Sequence, residues 1–245
     1  MKRTQLWMVC CCLLICFLTI LVIDGCSSKP ELKAGMGGLI IIAQATQDSD
    51  LLTSTQFSQY QNSNLGSAES REMYDYALFN DLIVYVQNEM LPPEKKAAEI
   101  TYGPQGLSSS IVGIAQGQAL RFINQSDKEV ALFGYREETE EELNDWPIIP
   151  PKTSVQWQIK SSGLIKVYID GEEEVEFNLF MAPGQRVASL RTAESFTLAH
   201  IPPGVYQVGG WHKILPSKPL YVTVKSGVYE RVELLFSVDA LSRSR

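Results

Sequence analysis

The feature that most constrains the fold of this chain is a series of short apolar runs separated by turns rich in glycine and proline. Residues 82–87, 119–124 and 204–208 are typical of these runs, being rich in β-branched and aromatic side chains. No long amphipathic helical pattern interrupts the series. Many short strands with such turns between them are typical of a sandwich, so the sequence predicts an all-β fold.

The predicted strands share this composition and have polar or glycine-containing turns at their ends. They cover residues 35–43, 82–87, 111–115, 119–124, 129–133, 154–159, 164–169, 176–180, 195–199, 204–208, 220–224 and 231–236. Residues 94–99 are compatible with one helical turn, and the acidic segment 137–144 is expected to be a solvated loop or a short helix. The polar residues 46–72 predict an exposed loop or a mobile insertion.

The N-terminus has the organisation of a secretory signal. Lys2 and Arg3 give a basic start, residues 6–23 carry no charge, and small residues follow around Cys26. The segment Ile23-Asp24-Gly25-Cys26 resembles the lipobox of bacterial lipoproteins, although Asp24 stands where that family has a small or apolar residue.

This resemblance implies removal of residues 1–25 and a lipid on Cys26. The body would then be held on the periplasmic side of the inner or outer membrane. An uncleaved anchor is the first alternative, because the apolar run is near the lower length limit for a spanning helix. A fully released protein is the second alternative.

Cysteine usage and charge exclude several function classes for the body. All five cysteines lie within residues 10–26, so the rest of the chain has no disulfide, no thiolate zinc site and no cysteine nucleophile. The formal charge of -7 argues against binding to nucleic acid or to anionic lipid. The expected partners are therefore the membrane, through the lipid anchor, and an envelope protein or a glycan.

Two stretches carry a family resemblance. Residues 115–124 (AQGQALRFIN), 129–134 (EVALFG) and 163–169 (GLIKVYI) resemble the cupredoxin-like domain of proteins labelled methylamine-utilisation proteins. Residues 194–212 (ESFTLAHIPPGVYQVGGWH) are similar to the hairpin that follows it in the same proteins, and to carboxypeptidase regulatory-like, prealbumin-type modules.

The resemblance implies a domain order and a fold. After the signal peptide at 1–25, residues 26–77 would form a tether with one strand and a polar loop. Residues 78–182 would form a degenerate cupredoxin-like Greek-key β-sandwich. Residues 183–245 would form a small prealbumin-like β module.

The same resemblance implies that the copper ligands are not retained. The family's first histidine falls at Val130, its cysteine at Ile169, its second histidine at Glu172 and its methionine near Val175. A type 1 copper site needs two imidazoles and a thiolate, which these residues do not supply. We therefore expect no cofactor.

A divergent copper site is the alternative. The body has two histidines, His200 and His212, which the predicted hairpin would place across from each other with Met181 as a third candidate ligand. Such a site would make the chain a copper-handling or electron-transfer protein. The simpler interpretation is that His212 forms a packing pair with Trp211 that closes the hairpin, and that His200 lies at a strand end.

The remaining motifs do not indicate catalysis. The sequence has no G-x-S-x-G elbow, no P-loop and no dinucleotide fingerprint, so we expect no enzymatic activity. Trp146, Tyr206 and Trp211 are the candidate ligand-binding aromatics, which favour a carbohydrate-binding module as a further alternative. The leading hypothesis is a non-enzymatic, lipid-anchored envelope protein with a binding or scaffold role.

Overall fold

The structure is a computed structural model that describes residues 29–46, 79–136, 139, 141–143, 146–160, 162–170 and 176–237. The chain divides into two compact units, Met1–Glu31 and Leu32–Arg245, and every strand described belongs to the second. Cys26 and the predicted polar loop from residue 47 onward lie outside the described residues. Among the residues that are described, none forms a helix with the length and apolar character needed to cross a bilayer.

Within these ranges the secondary structure is entirely β, which confirms the predicted all-β class. The strands are β1 (Gly37–Ala45), β2 (Leu82–Gln87), β3 (Ala98–Gly103), β4 (Gly106–Leu107), β5 (Ile111–Ile114), β6 (Ala119–Asn124), β7 (Val130–Arg136), β8 (Glu141–Leu143), β9 (Ile148–Ile149), β10 (Ser154–Gln158), β11 (Gly163–Ile169), β12 (Glu176–Met181), β13 (Arg186–Leu190), β14 (Ser195–Ile201), β15 (Gly204–Trp211), β16 (Leu220–Val224) and β17 (Tyr229–Phe236).

The middle of the chain forms the first of two sandwiches. Sheet I has the order β10-β6-β3-β4, and sheet II has the order β5-β12-β11-β7-β8, with β9 also paired to β7. The β3–β6 and β5–β12 pairs are parallel, and the chain crosses repeatedly between the sheets, as Greek-key connections require. The core between the sheets is apolar, with Phe122 and Phe177 fully buried at its centre.

The two ends of the chain form the second sandwich. Sheet III has the order β13-β2-β15-β16, and sheet IV has the order β14-β1-β17. β1 lies in the middle of sheet IV, antiparallel to β14 and parallel to β17. Its alternate side chains Leu39 and Ile41 are fully buried against Tyr206 and Phe236 in a separate apolar core.

Strand pairing crosses the boundaries expected from the sequence. β2 falls in the segment expected to be cupredoxin-like, yet it pairs with β13 and β15 of the C-terminal part. β1 also pairs only with C-terminal strands. The second sandwich is therefore built from segments on both sides of the first.

The outer faces of sheets II and III pack against each other. Phe180 on β12 stacks on Trp211 of β15, with ring centroids 5.0 Å apart and planes 15° from parallel. On β5, a Cβ added to Gly113 would come within 2.6 Å of Val187, so only glycine allows this approach. This packing covers the β5 and β12 side of the outer face of sheet II.

Three local predictions were wrong. Residues 94–99 form no helical turn; the chain enters β3 at Ala98 after an extended segment that Arg186 ties down through an ion pair with Glu94 at 3.6 Å. Residues 141–143 of the acidic segment form the short edge strand β8. It pairs antiparallel with β7, and an Arg136–Glu141 ion pair at 3.1 Å joins the two strands. β14 and β15, expected to form a hairpin, lie in different sheets.

The central position of β1 gives a stability prediction. Ile41→Ala should lower the free energy of unfolding by about 2–4 kcal/mol, because it leaves a cavity in a closed core. Leu235→Ala is the matched control on β17 of the same sheet, where the side chain is 49% exposed, and it should cost less than about 1 kcal/mol. Chemical denaturation followed by circular dichroism measures both. Equal losses would contradict the placement of β1.

Candidate functional site

The end of the first sandwich to which the family resemblance assigns copper ligands is filled by aliphatic side chains. Val130 begins β7 and Ile169 ends β11, and they are 2% and 3% exposed. Ile169 pairs in register with Leu132 on β7. Because these side chains have no lone pair to donate, the two positions do not fit copper. Glu172 and Val175 lie outside the described residues.

A buried amide holds this end of the sandwich closed. Asn124, which is 0% exposed, donates from Nδ2 to the carbonyl oxygens of Lys128 at 2.7 Å and Ile149 at 3.1 Å. Its Oδ1 accepts from the backbone N–H of Ser126 at 2.9 Å. A buried amide must be satisfied in this way, and here it fixes the loops on both sides of β7.

The three candidate ligands of a divergent copper site belong to different parts of the fold. His200 lies near the end of β14 in sheet IV, and His212 follows β15 of sheet III. Met181 is buried in the core of the first sandwich. Among the residues described, no three His, Cys, Asp or Glu side chains form a group that could hold a metal ion.

Each histidine also uses Nδ1 as a hydrogen-bond acceptor. His200 accepts from the backbone N–H of Lys33 at 3.2 Å. His212 accepts from the N–H groups of Ile214 at 3.2 Å and Leu215 at 3.1 Å, while its ring meets Phe79 edge to face at 5.2 Å. His212 therefore packs against Phe79 and fixes the loop that follows β15, and His200 accepts a hydrogen bond from the segment before β1.

The candidate ligand-binding aromatics are engaged in packing. Tyr206 requires a correction, because its side chain is completely buried and its hydroxyl donates to the carbonyl of Pro202 at 2.5 Å. Burial raises the pKa of this phenol. This contact four residues back along the chain closes the loop before β15, much as the tyrosine corner does in other sandwiches. A ligand at the surface cannot reach the ring.

The two tryptophans are partly buried against other side chains. Trp211 stacks on Phe180 between the sandwiches. Trp146 meets Trp157 edge to face at 5.6 Å and lies directly over Gly134, where a Cβ would collide with the indole. These contacts account for the positions of both indoles without a ligand.

The exposed half of sheet II carries a group of aromatic residues that the sequence analysis did not single out. We call it the aromatic face and define it as Phe133 and Tyr135 on β7, Tyr168 on β11 and Glu142 on β8. These four residues line a shallow, open depression of about 470 Å³. Phe133 is 38% exposed, whereas phenylalanine side chains in folded proteins are most often buried.

Register places the members of the aromatic face beside one another. Phe133 is the cross-strand partner of Tyr168, with ring centroids 5.2 Å apart and planes 18° from parallel. Tyr135 lies between Glu142 on one neighbouring strand and Lys166 on the other. The arrangement is an apolar centre with charged side chains at its edge.

Alternation along β7 and β11 was the signal that could have found this surface. Val130, Leu132 and Gly134 face the core, so Phe133 and Tyr135 must face outward. Residues 166 and 168 alternate in the same way with the buried residues of β11. What the sequence could not show is that the two strands are neighbours in a register that pairs Phe133 with Tyr168.

Comparison with known proteins adds little to this description. No protein-family model matches the chain, and no curated protein matches it significantly. A solved structure titled as a novel purple cupredoxin from Nitrosopumilus maritimus is 12% identical, covering 35% of this chain and 99% of that chain, with a TM-score of 0.31. A methionine-to-alanine mutant of amicyanin in the Cu(I) form is 9% identical, covering 40% and 98%, also with a TM-score of 0.31. These scores carry no argument, so the fold assignment rests on the strand order.

The loop after β15 gives a pH prediction. Burial holds the pKa of His212 below its usual value, and the charge of Asp81 opposes this only in part. The unfolded chain therefore binds a proton at His212 more readily than the folded protein does. The stability that depends on a neutral His212 is fully present above the unfolded pKa of about 6.5, and it is lost as pH falls through the folded pKa.

The matched variant is His212→Asn, whose side-chain oxygen can accept the same backbone N–H groups but does not titrate. We expect its melting temperature to fall less between pH 7.5 and pH 5 than that of the native chain. Thermal melts in the same buffers measure the difference. Identical falls in the two proteins would show that the pKa of His212 does not differ between the folded and unfolded states.

Proposed function

We propose that this chain is a non-enzymatic binding protein of the cell envelope, held to a membrane by a lipid on Cys26. It would use a cupredoxin-like sandwich that has lost its copper ligands. The binding surface would be the aromatic face of sheet II. The observation that carries this proposal is the stacked pair of the exposed Phe133 and the partly buried Tyr168.

An aromatic pair on the outer face of a closed sandwich, with one ring exposed and the other partly buried, requires an explanation. Both rings lie on strands whose inward residues already fill a complete core, so neither ring is needed for the packing of sheet I on sheet II. The two sandwiches bury other aromatic residues of the same outer face, including Phe180. Aromatic residues are enriched at binding surfaces, and an apolar patch left open on a folded protein commonly marks such a surface.

The copper-free part of the proposal is supported by the chemistry of the positions concerned. Val130 and Ile169 have only hydrocarbon side chains, and they pack into the core of the sandwich. The body has no cysteine anywhere from residue 27 onward, which removes the thiolate that a type 1 site needs. The tether is supported by the N-terminal sequence pattern alone.

Photo-crosslinking tests the binding surface. A benzophenone amino acid is placed at position 133 of the full-length protein, which is expressed in the cells that naturally produce it. On irradiation it should form adducts that mass spectrometry identifies as protein or glycan. The same probe at position 221 is the control, because Tyr221 is 74% exposed on β16 of sheet III and does not line the depression. If position 133 gives no adducts beyond those of position 221, the proposed surface is wrong.

Metal loading tests the copper-free assignment. The sample is a full-length variant in which the five cysteines are replaced by serine, so that the N-terminal thiols cannot hold metal. After incubation with Cu(II) and desalting, elemental analysis should find no stoichiometric copper. Retention of one copper per chain would contradict the assignment, and loss of that copper in His200→Ala or His212→Ala would then locate the ligands.

A further inference from the structure

We propose that the aromatic face binds a neutral polysaccharide, with a sugar ring stacked on the Phe133–Tyr168 pair. This inference rests on the proposed function and names the ligand class for the same surface. It is carried by the side chains that register places around the aromatic pair.

The centre of the aromatic face has the chemistry that a sugar ring needs. One face of a pyranose ring presents C–H groups, which are apolar and slightly positive. Aromatic rings present a negative face to such groups. Phe133 and Tyr168 stack on each other with ring centroids 5.2 Å apart, and both line a depression that is open to solvent.

The edge of the aromatic face supplies groups that bind hydroxyls. Glu142 lies across from Tyr135 on β8, and Glu176 lies across from Tyr168 on β12. Carboxylate oxygens accept hydrogen bonds from hydroxyl groups, and the tyrosine hydroxyls can donate or accept. The aromatic pair therefore lies between two sets of acceptors, on the β8 side and on the β12 side.

Charge separates a neutral sugar from the other ligands that stack on aromatic rings. Nucleic-acid bases also stack, but their phosphates require a basic groove. Here the edge carries the carboxylates of Glu142 and Glu176 against the ammonium group of Lys166, and the chain as a whole has a formal charge of -7. Acidic polysaccharides are disfavoured for the same reason.

The polar neighbours also disfavour a purely apolar partner. Glu142, Lys166 and Glu176 each lie beside one of the aromatic residues on a neighbouring strand, so charged residues interrupt the apolar area across the sheet. A hydrophobic protein surface would have to bury these charged groups, which is costly. A hydroxyl-rich ligand can instead hydrogen-bond to the carboxylates without burying a charge.

Calorimetry with the full-length protein in detergent tests the inference. The probes are hexasaccharides of β-linked glucose, N-acetylglucosamine, mannose and galactose, with an oligogalacturonate as the acidic counterpart. At least one neutral probe should bind, and the acidic one should bind more weakly. Tyr168→Ala should weaken that binding by about tenfold or more, as loss of one stacking partner does.

The matched control is Tyr221→Ala, which removes an exposed tyrosine from sheet III and should leave affinity unchanged. Tyr168→Phe should retain most of the affinity, since the ring remains. Circular dichroism should give the same spectrum and melting behaviour for all three variants. Failure of every neutral probe to bind, or an equal loss in Tyr221→Ala, would overturn the inference.

The outcomes also separate this inference from the proposed function. Protein adducts at position 133 without sugar binding would leave the binding surface in place and overturn the glycan assignment. Self-association that Tyr168→Ala abolishes, again without sugar binding, would show that the occupant is a second copy of the chain. The absence of adducts and of sugar binding would overturn both proposals.

Discussion

The central position of β1 in sheet IV is the constraint on which the second sandwich depends. β14 and β17 do not pair with each other, and β1 supplies the hydrogen bonds that join them. Its alternate residues Leu39 and Ile41 also fill the core between sheets III and IV. Without residues 37–45 the C-terminal strands would have two open edges and a missing core layer, so this part of the chain cannot be a self-contained module.

The contact between the two sandwiches decides which part of sheet II is available to a ligand. Phe180 and Gly113 lie where sheet III covers the outer face, through Trp211 and Val187. Among the residues that the structure describes, the rest of that face, on β7 and β11, carries the aromatic face and its open depression. The inner side of sheet II thus faces the core that it shares with sheet I. Its outer side is divided between the contact with sheet III and the aromatic face.

Most of the strands could be predicted from the sequence, because apolar alternation and turn residues are local signals. β3 was missed because Ala98 and Glu99 follow a charged segment and give little apolar pattern before Ile100. Sheet membership could not be predicted, since pairing β1 with β17 joins residues far apart in sequence. The candidate site was missed for the same reason. Alternation along β7 directs Phe133 outward, but it does not show that β11 is the neighbouring strand, or that Trp146 and Tyr206 are packed.

The pairing of β1 has a mechanical consequence. Six of its residues are in register with β14 and eight with β17. A force applied through the residues before Gly37 would act along the strand axis, so these hydrogen bonds would bear the load together, in shear. Bonds loaded in this way resist rupture far better than bonds opened one after another. The strand that completes sheet IV would therefore also make the body resistant to being pulled from its N-terminal end.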